Sequence, residues 1–149
     1  MALLNYTTTV EASKTLAEIQ ALLARRGARA IQIDYDGEGE PVALAFQVET
    51  PIGRQAYRLP ANIDAVFTVL TNQHRRGSVQ RRFVTRAQAA RVGWRIIKDW
   101  VLAQLAIVET QMTTLDEVMM PWMIAGREGQ TVYQLYAQRQ LALPAAKVE

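Results

Sequence analysis

The sequence alternates most regularly at Val42-Ala43-Leu44-Ala45-Phe46-Gln47-Val48-Glu49, where every second side chain is large and apolar. A period of two residues is typical of a β-strand with one buried face. Similar alternation occurs at 30–35 and at 54–59. The runs are separated by Asp36-Gly37-Glu38-Gly39 and Thr50-Pro51-Ile52-Gly53, which have the composition of turns. We therefore predict a three-stranded antiparallel meander whose apolar face must be covered by helices.

The segment before the meander has the apolar spacing of an amphipathic helix. Ser13 or Thr15 can cap its start, where Thr15 and Glu18 fit a capping box. Gly27 fits a left-handed cap at its end. In front of this helix, the run from Tyr6 to Val10 is aromatic and β-branched, so we predict a short N-terminal strand there.

The C-terminal half is predicted to be helical. Asn62 begins a short helix, and Thr85 with Gln88 opens a long helix that continues to about Met112. The long helix is apolar on more than one face, so it is either central to the fold or shared with a second subunit. We predict an α+β fold in one domain, 1–149, with a meander part at 1–71, a basic loop at 72–85, a helical part at 86–125 and a mobile tail at 141–149.

Composition narrows the chemistry. The chain has no cysteine, which excludes disulfides, thiolate nucleophiles and cysteine zinc sites. His74 is the only histidine and is expected to be solvated. The acidic run at 34–40 lacks the ligand spacing of a calcium loop and is interpreted as a charged turn. Neither a phosphate-binding glycine loop nor a nucleophile elbow is present. We therefore predict that the protein is not an enzyme and has no metal and no cofactor.

The N-terminal residues lack the basic flank and the apolar core of a leader peptide. Charged residues interrupt the longest apolar stretch, so a membrane span is not expected. These features predict a cytoplasmic protein.

Positive charge is concentrated between Asp64 and Asp99, an interval without any acidic residue. Eight of the 17 cations lie there, and we predict that they bind phosphate: Arg75, Arg76, Arg81, Arg82, Arg86, Arg91, Arg95 and Lys98. Phe83 in the same interval is a candidate for stacking on a base. In the alternative interpretation the cations form a solvated face that finds acidic partners in three dimensions, with Asp34, Glu38 or Glu40 as the expected partners.

Several stretches resemble a family of small proteins, without an assigned activity, that are encoded in bacteriophage and prophage genomes. The stretches are Val10-Glu11-Ala12-Ser13-Lys14-Thr15-Leu16-Ala17-Glu18-Ile19, Arg26-Gly27-Ala28, Tyr57-Arg58-Leu59-Pro60, Trp94-Arg95 through Val108-Glu109, and Gly129-Gln130-Thr131-Val132-Tyr133. The resemblance implies a phage context and assigns no functional residue.

From these patterns we predict a non-enzymatic phage protein that binds nucleic acid, preferentially single strands, as a homo-oligomer. Counter-ion release and stacking would give binding that tolerates sequence changes. The alternative is a phage counter-defence protein that sequesters a small cyclic nucleotide in a pocket between subunits. A virion or assembly component is a third interpretation, in which the apolar C-terminal half does the work.

Overall fold

A computed structural model describes residues 1–138 and confirms the α+β fold with its three-stranded antiparallel sheet. In chain order the elements are α1 (Ala12–Arg25), β1 (Ala28–Tyr35), β2 (Pro41–Thr50), β3 (Gly53–Arg58), α2 (Ile63–Arg75), α3 (Arg86–Glu109), α4 (Leu115–Met119) and α5 (Val132–Ala137). Short 3₁₀ turns lie at Arg81–Phe83 and Met120–Trp122. The tail predicted at 141–149 lies outside the described residues.

The apolar face of the sheet is the core, as the alternation predicts. The strands pair in the order β1-β2-β3, and Phe46 of β2 lies opposite Tyr57 of β3. Leu44, Phe46 and Val48 are all buried, together with Ile19 of α1. A strand whose large side chains all point to one side has a single stable register, because a slip of one residue would expose every one of them.

Helix α3 runs through the centre of the fold. Trp94 is fully buried, and its Nε1–H donates a hydrogen bond to the carbonyl oxygen of Pro41 at 3.1 Å. Ile97, Val101 and Leu105 continue the same buried side of the helix. Apolar side chains that recur every three or four residues over this length anchor α3 against the sheet and the other helices. Among residues 1–138, no helix has both the length and the apolar composition that crossing a bilayer requires.

The three longest helices meet at one end of the molecule. Helix α1 runs parallel to α3, because side chains in and beside α1 contact α3 in the same order along both helices, with the pairs Glu11–Arg91, Glu18–Arg95 and Arg26–Glu109. Helix α2 runs antiparallel to α3, since Ile63 at its start lies beside Gly93 and Phe67 lies beside Arg86. The starts of α1 and α3 and the end of α2 therefore lie close together.

The predicted N-terminal strand is not formed. Residues 6–10 lie outside the sheet. The Gln88 side chain satisfies the backbone there, because its Nε2–H₂ group donates to the carbonyl oxygens of Tyr6 and Thr8, each at 2.9 Å. The outer edge of β3 is bridged instead by a later segment, through the pair Tyr57 and Met123. The β-branched run is thus held by one side chain rather than by a strand ladder.

The starts of α2 and α3 follow their predicted capping residues. Asn62 accepts a hydrogen bond from the backbone N–H of Ala65 at 3.0 Å, and Thr85 accepts one from Gln88 at 3.0 Å. The predicted capping box at Thr15 is wrong, because α1 already begins at Ala12 and Thr15 is buried within it. Capping signals locate a helix start only where the capping hydrogen bond forms.

Candidate phosphate-binding site

The predicted basic loop at 72–85 is wrong at its start, because α2 continues to Arg75. Gly77 then turns the chain with a φ of +80°, a conformation that glycine adopts without strain. The ring of His74 donates from Nδ1 to the carbonyl oxygen of Val79 at 2.9 Å. The side chain of Val79 is buried in the core. The basic side chains are therefore carried by a compact turn that is attached to the body of the fold.

Four arginines lie at the end of α2 and in the segment that follows it, and we call the surface that they form the basic end: Arg75, Arg76, Arg81 and Arg82. All four residues are exposed. Within residues 1–138, no carboxylate lies within 4.0 Å of any of their guanidinium groups. Arg75 is the last residue of α2 and Arg76 is its C-cap, and the helix dipole favours positive charge at this end. The basic end is thus a concentrated positive surface on a stable support.

The other four predicted cations belong to α3, and each contacts a carboxylate. The pairs are Arg86–Asp64, Arg91–Glu11 at 3.2 Å, Arg95–Glu18 at 2.8 Å and Lys98–Glu18 at 3.0 Å. The alternative interpretation expected acidic partners in three dimensions, and these cations have them. The partners come from α1, from the residue that precedes it and from α2, whereas the expected hairpin carboxylates make no contact within 4.0 Å. The structure therefore separates the eight cations into an unpaired set and a paired set.

The paired set is electrostatically satisfied. The hydrogen bond from Lys98, together with the charge of Lys98 and a contribution from Arg95, lowers the pKa of Glu18 from its ordinary value of 4.5, although partial burial opposes this effect. The hydrogen bond to Asp64 raises the pKa of Arg86, and the more distant charges of Asp36 and Glu38 act in the same direction. A phosphate group on this face of α3 would have to displace carboxylates that are already bound there.

A pocket of about 320 Å³ opens beside the basic end, and we call it the threonine pocket. Its lining residues come from the N-terminal segment up to the residue before α1, from the 3₁₀ turn and from the first two turns of α3: Thr7, Thr8, Thr9, Glu11, Arg82, Phe83, Gln88 and Arg91. Gln88 is only 6% exposed. Besides holding the N-terminal segment, its Oε1 accepts a hydrogen bond from Arg91 Nη1 at 3.1 Å. One buried amide therefore fixes both a wall of the pocket and a cation in it.

Phe83, the predicted stacking residue, is partly covered. The guanidinium carbon of Arg82 lies 4.7 Å from the centre of its ring, and Tyr6 contacts it in a T-shaped arrangement at 5.4 Å. Arginine guanidinium groups are planar and stack on bases in the same way as aromatic rings do. A base that binds beside Phe83 would therefore stack on the guanidinium plane of Arg82.

Sequence reasoning missed Thr7, Thr8, Thr9, Glu11 and Gln88 as possible site residues. The threonines have the composition of a strand, and Gln88 has the spacing of a helix-capping residue. Gln88 is 82 residues from Tyr6 along the chain, so no local pattern indicates that they meet. The sequence signal that could have identified Gln88 is the helix cap at Thr85, since the cap fixes the start of α3 and thereby puts Gln88 in its first turn.

In the part of the chain that the structure describes, no three histidine, aspartate or glutamate side chains are placed to hold a metal ion. Comparisons with protein-family models, with curated proteins and with solved structures found no match to this chain. The resemblance to phage and prophage proteins therefore stays a prediction that rests on the quoted stretches.

Proposed function

We propose that the protein is a non-enzymatic nucleic-acid-binding protein that holds single strands at the basic end. The observation that supports this proposal is the group of four exposed arginines without an acidic partner within residues 1–138. Positive charges gathered on one surface attract polyanions, and binding is driven by the release of counter-ions from the phosphates. The phage origin, cytoplasmic location and homo-oligomeric state predicted from the sequence belong to the same proposal.

The proposed contacts explain why binding would tolerate sequence changes. Guanidinium groups bind phosphate oxygens in a bidentate manner, and such contacts carry no information about the base. Arg82, supported by Phe83, offers a flat surface on which any base can stack. A single strand bends easily enough to bring neighbouring phosphates and an unstacked base to so compact a surface.

The proposal is tested by fluorescence anisotropy with a labelled single-stranded oligonucleotide. The double variant Arg81→Glu/Arg82→Glu should lose binding, because both side chains are exposed on the basic end and neither packs in the core. The matched control is Arg29→Glu/Arg127→Glu, which changes the net charge equally at exposed positions elsewhere and should retain most of the binding. Four phosphate contacts on a single strand predict a slope of about −3 for log K against log salt concentration.

Equal losses in the two double variants would mean that binding depends only on net charge, and the basic end would not be the site. An oligonucleotide that does not bind to the wild-type protein would overturn the proposal itself. Circular dichroism of each variant verifies that the fold is retained.

One observation favours the second function, a counter-defence protein that sequesters a small cyclic nucleotide, with the site in a single chain rather than in the predicted pocket between subunits. The threonine pocket has a volume of about 320 Å³, which is within the range of small-molecule sites. A pocket that holds one or two phosphates loses little affinity with salt, whereas a strand across the basic end loses much. The salt slope measured with each ligand therefore discriminates between the two functions.

A further inference from the structure

We infer that the threonine pocket binds a phosphate monoester, and that Glu11 competes with that phosphate for Arg91. The inference rests on the proposed function, because it assigns one group of a nucleotide ligand to a defined place beside the basic end. The source of the monoester is either the end of a strand or a free nucleotide, and the chemistry of the group is the same in both.

The donors in the pocket suit a monoester. Arg82 and Arg91 line the pocket with side chains that carry guanidinium groups, and the consecutive residues Thr7, Thr8 and Thr9, each with a hydroxyl, line it as well. The hydroxyl oxygen of Thr8 accepts a hydrogen bond from a backbone N–H at 3.2 Å, which leaves its own O–H to donate. A monoester has three free oxygens and a charge between about −1.5 and −2 near neutral pH. A diester within a strand has two free oxygens and a single charge, so it would use fewer of these donors.

The cation at the pocket is held in place before any ligand arrives. The guanidinium of Arg91 contacts Glu11 at 3.2 Å and Gln88 at 3.1 Å, and its side chain is 28% exposed. The amide of Gln88 is itself fixed by two backbone carbonyls. An arginine that is already ordered loses little conformational freedom on binding, which favours affinity.

The carboxylate of Glu11 occupies the place next to Arg91 that an anionic ligand would take. Glu11 precedes the first residue of α1, yet its side chain makes no capping hydrogen bond. Its side chain is 68% exposed, so the ion pair with Arg91 contributes little to stability and is easily broken. Residues at the N-terminal ends of both α1 and α3 line this pocket, and the dipoles of two parallel helices favour an anion near these ends. The carboxylate of Glu11 therefore occupies the phosphate position beside Arg91 when no ligand is bound, and a bound phosphate displaces it.

The first experiment compares two 3′-labelled oligonucleotides that differ only in a 5′-phosphate or a 5′-hydroxyl. The phosphorylated strand should bind about tenfold more tightly, as expected for one added charge-assisted contact. Arg91→Gln should remove this preference. A mononucleotide is the competitor: if it displaces the phosphorylated strand at the same concentration as an unlabelled phosphorylated strand does, the pocket takes a free nucleotide.

The second experiment compares Glu11→Gln with Glu18→Gln. Both substitutions remove a carboxylate of the α1 side that pairs with a cation of α3, but only Glu11 lines the pocket. Glu11→Gln should increase the preference for the 5′-phosphate several-fold, whereas Glu18→Gln should leave the preference unchanged. Thermal melting of both variants shows whether either one disturbs the helix pair.

The outcomes separate the inference from the proposed function. Strands that bind without any preference for a 5′-phosphate, or equal effects of the two glutamine variants, would overturn the inference and leave the function standing. Binding of a mononucleotide that depends on Arg91, with no binding of strands, would retain the pocket and overturn the function. If the protein binds neither strands nor the mononucleotide, both the inference and the proposed function are wrong.

Discussion

The hydroxyl of Tyr57 is the buried polar group with the clearest consequence for stability. Tyr57 is 0% exposed, its ring stacks on Phe46 at 5.4 Å, and its hydroxyl has no hydrogen-bond partner within residues 1–138. Burial, reinforced by the charge of Asp116, raises the pKa of Tyr57 from 10.0 to about 12. An unsatisfied buried hydroxyl costs about 1–3 kcal/mol. The aromatic ring therefore stabilises the core, while the hydroxyl opposes it.

We expect Tyr57→Phe to leave the free energy of unfolding unchanged or to raise it by about 1 kcal/mol, since it removes only the unsatisfied group. In the wild type the unfolded state loses the phenol proton first, so stability falls as the pH rises through 10.0 toward 12. The variant should show a smaller loss over this interval. Urea unfolding at pH 8 and pH 11 measures both effects. A clear loss of stability at pH 8 would mean that the hydroxyl has a partner.

The positions of the cations were predictable from the sequence, but their partners were not. The run without acidic residues between Asp64 and Asp99 is evident from the sequence, and four of its arginines form the basic end. Arg91 and Glu11 are separated by 80 residues, and Arg95 and Glu18 by 77. Which cations are neutralised depends on how α1 lies against α3, and no local spacing contains that information.

At the scale of elements, the strands were predicted well because one face of the sheet is buried and the other is not. That difference imposes a period of two on β2 which no helix would produce. The N-terminal run from Tyr6 to Val10 has similar residue types over a shorter length. Its backbone is satisfied by Gln88, so β-propensity alone was insufficient. Tertiary contacts therefore determine the structure of the N-terminal run, whereas the local alternation of apolar and polar residues determines that of β2.

The contact between α2 and α3 depends on Gly93. A Cβ atom at this position would lie 2.9 Å from Cδ1 of Ile63 and 3.3 Å from Cγ2 of Val66. Gly93→Val should therefore lower the free energy of unfolding by about 1–3 kcal/mol, as overpacking does. Gly93→Ala is the control, because a gain in helix propensity of about 1 kcal/mol offsets a small shift of the Ile63 side chain. Urea unfolding of both variants tests this prediction. If Gly93→Val were as stable as the wild type, the helices would have to lie farther apart.

At the scale of the whole molecule, the surface is polarised along α3. The helix has 24 residues and is roughly 36 Å long, with the basic end and the threonine pocket at its start. Toward its other end, Leu102 is 41% exposed, and Met112 beyond the helix is 73% exposed. A groove of about 500 Å³ near that end is lined by apolar and charged residues together: Leu22, Arg25, Arg26, Leu102, Leu105, Ala106 and Glu109. Within residues 1–138, the surface around the start of α3 thus carries the basic end, and the surface toward its other end carries exposed apolar side chains beside charged ones.

This polarity leads to the expectation that two copies associate through the far end of α3. Surplus apolar surface is most often buried in a symmetric dimer, and pairing there would leave both basic ends free. Light scattering at low micromolar concentration should give twice the mass of the chain. Leu102→Glu should return it to the monomer mass, whereas Ile52→Glu, at an exposed turn between β2 and β3, should not.

A dimer would also make strand binding bivalent. Two basic ends on one particle raise the apparent affinity for an oligonucleotide long enough to reach both, without changing the affinity of either end alone. The ratio of the affinity for a long strand to the affinity for a short strand should therefore be larger for the wild type than for Leu102→Glu. A wild-type protein of monomer mass would contradict the expected dimer, and the exposed leucine and methionine would then be ordinary surface residues.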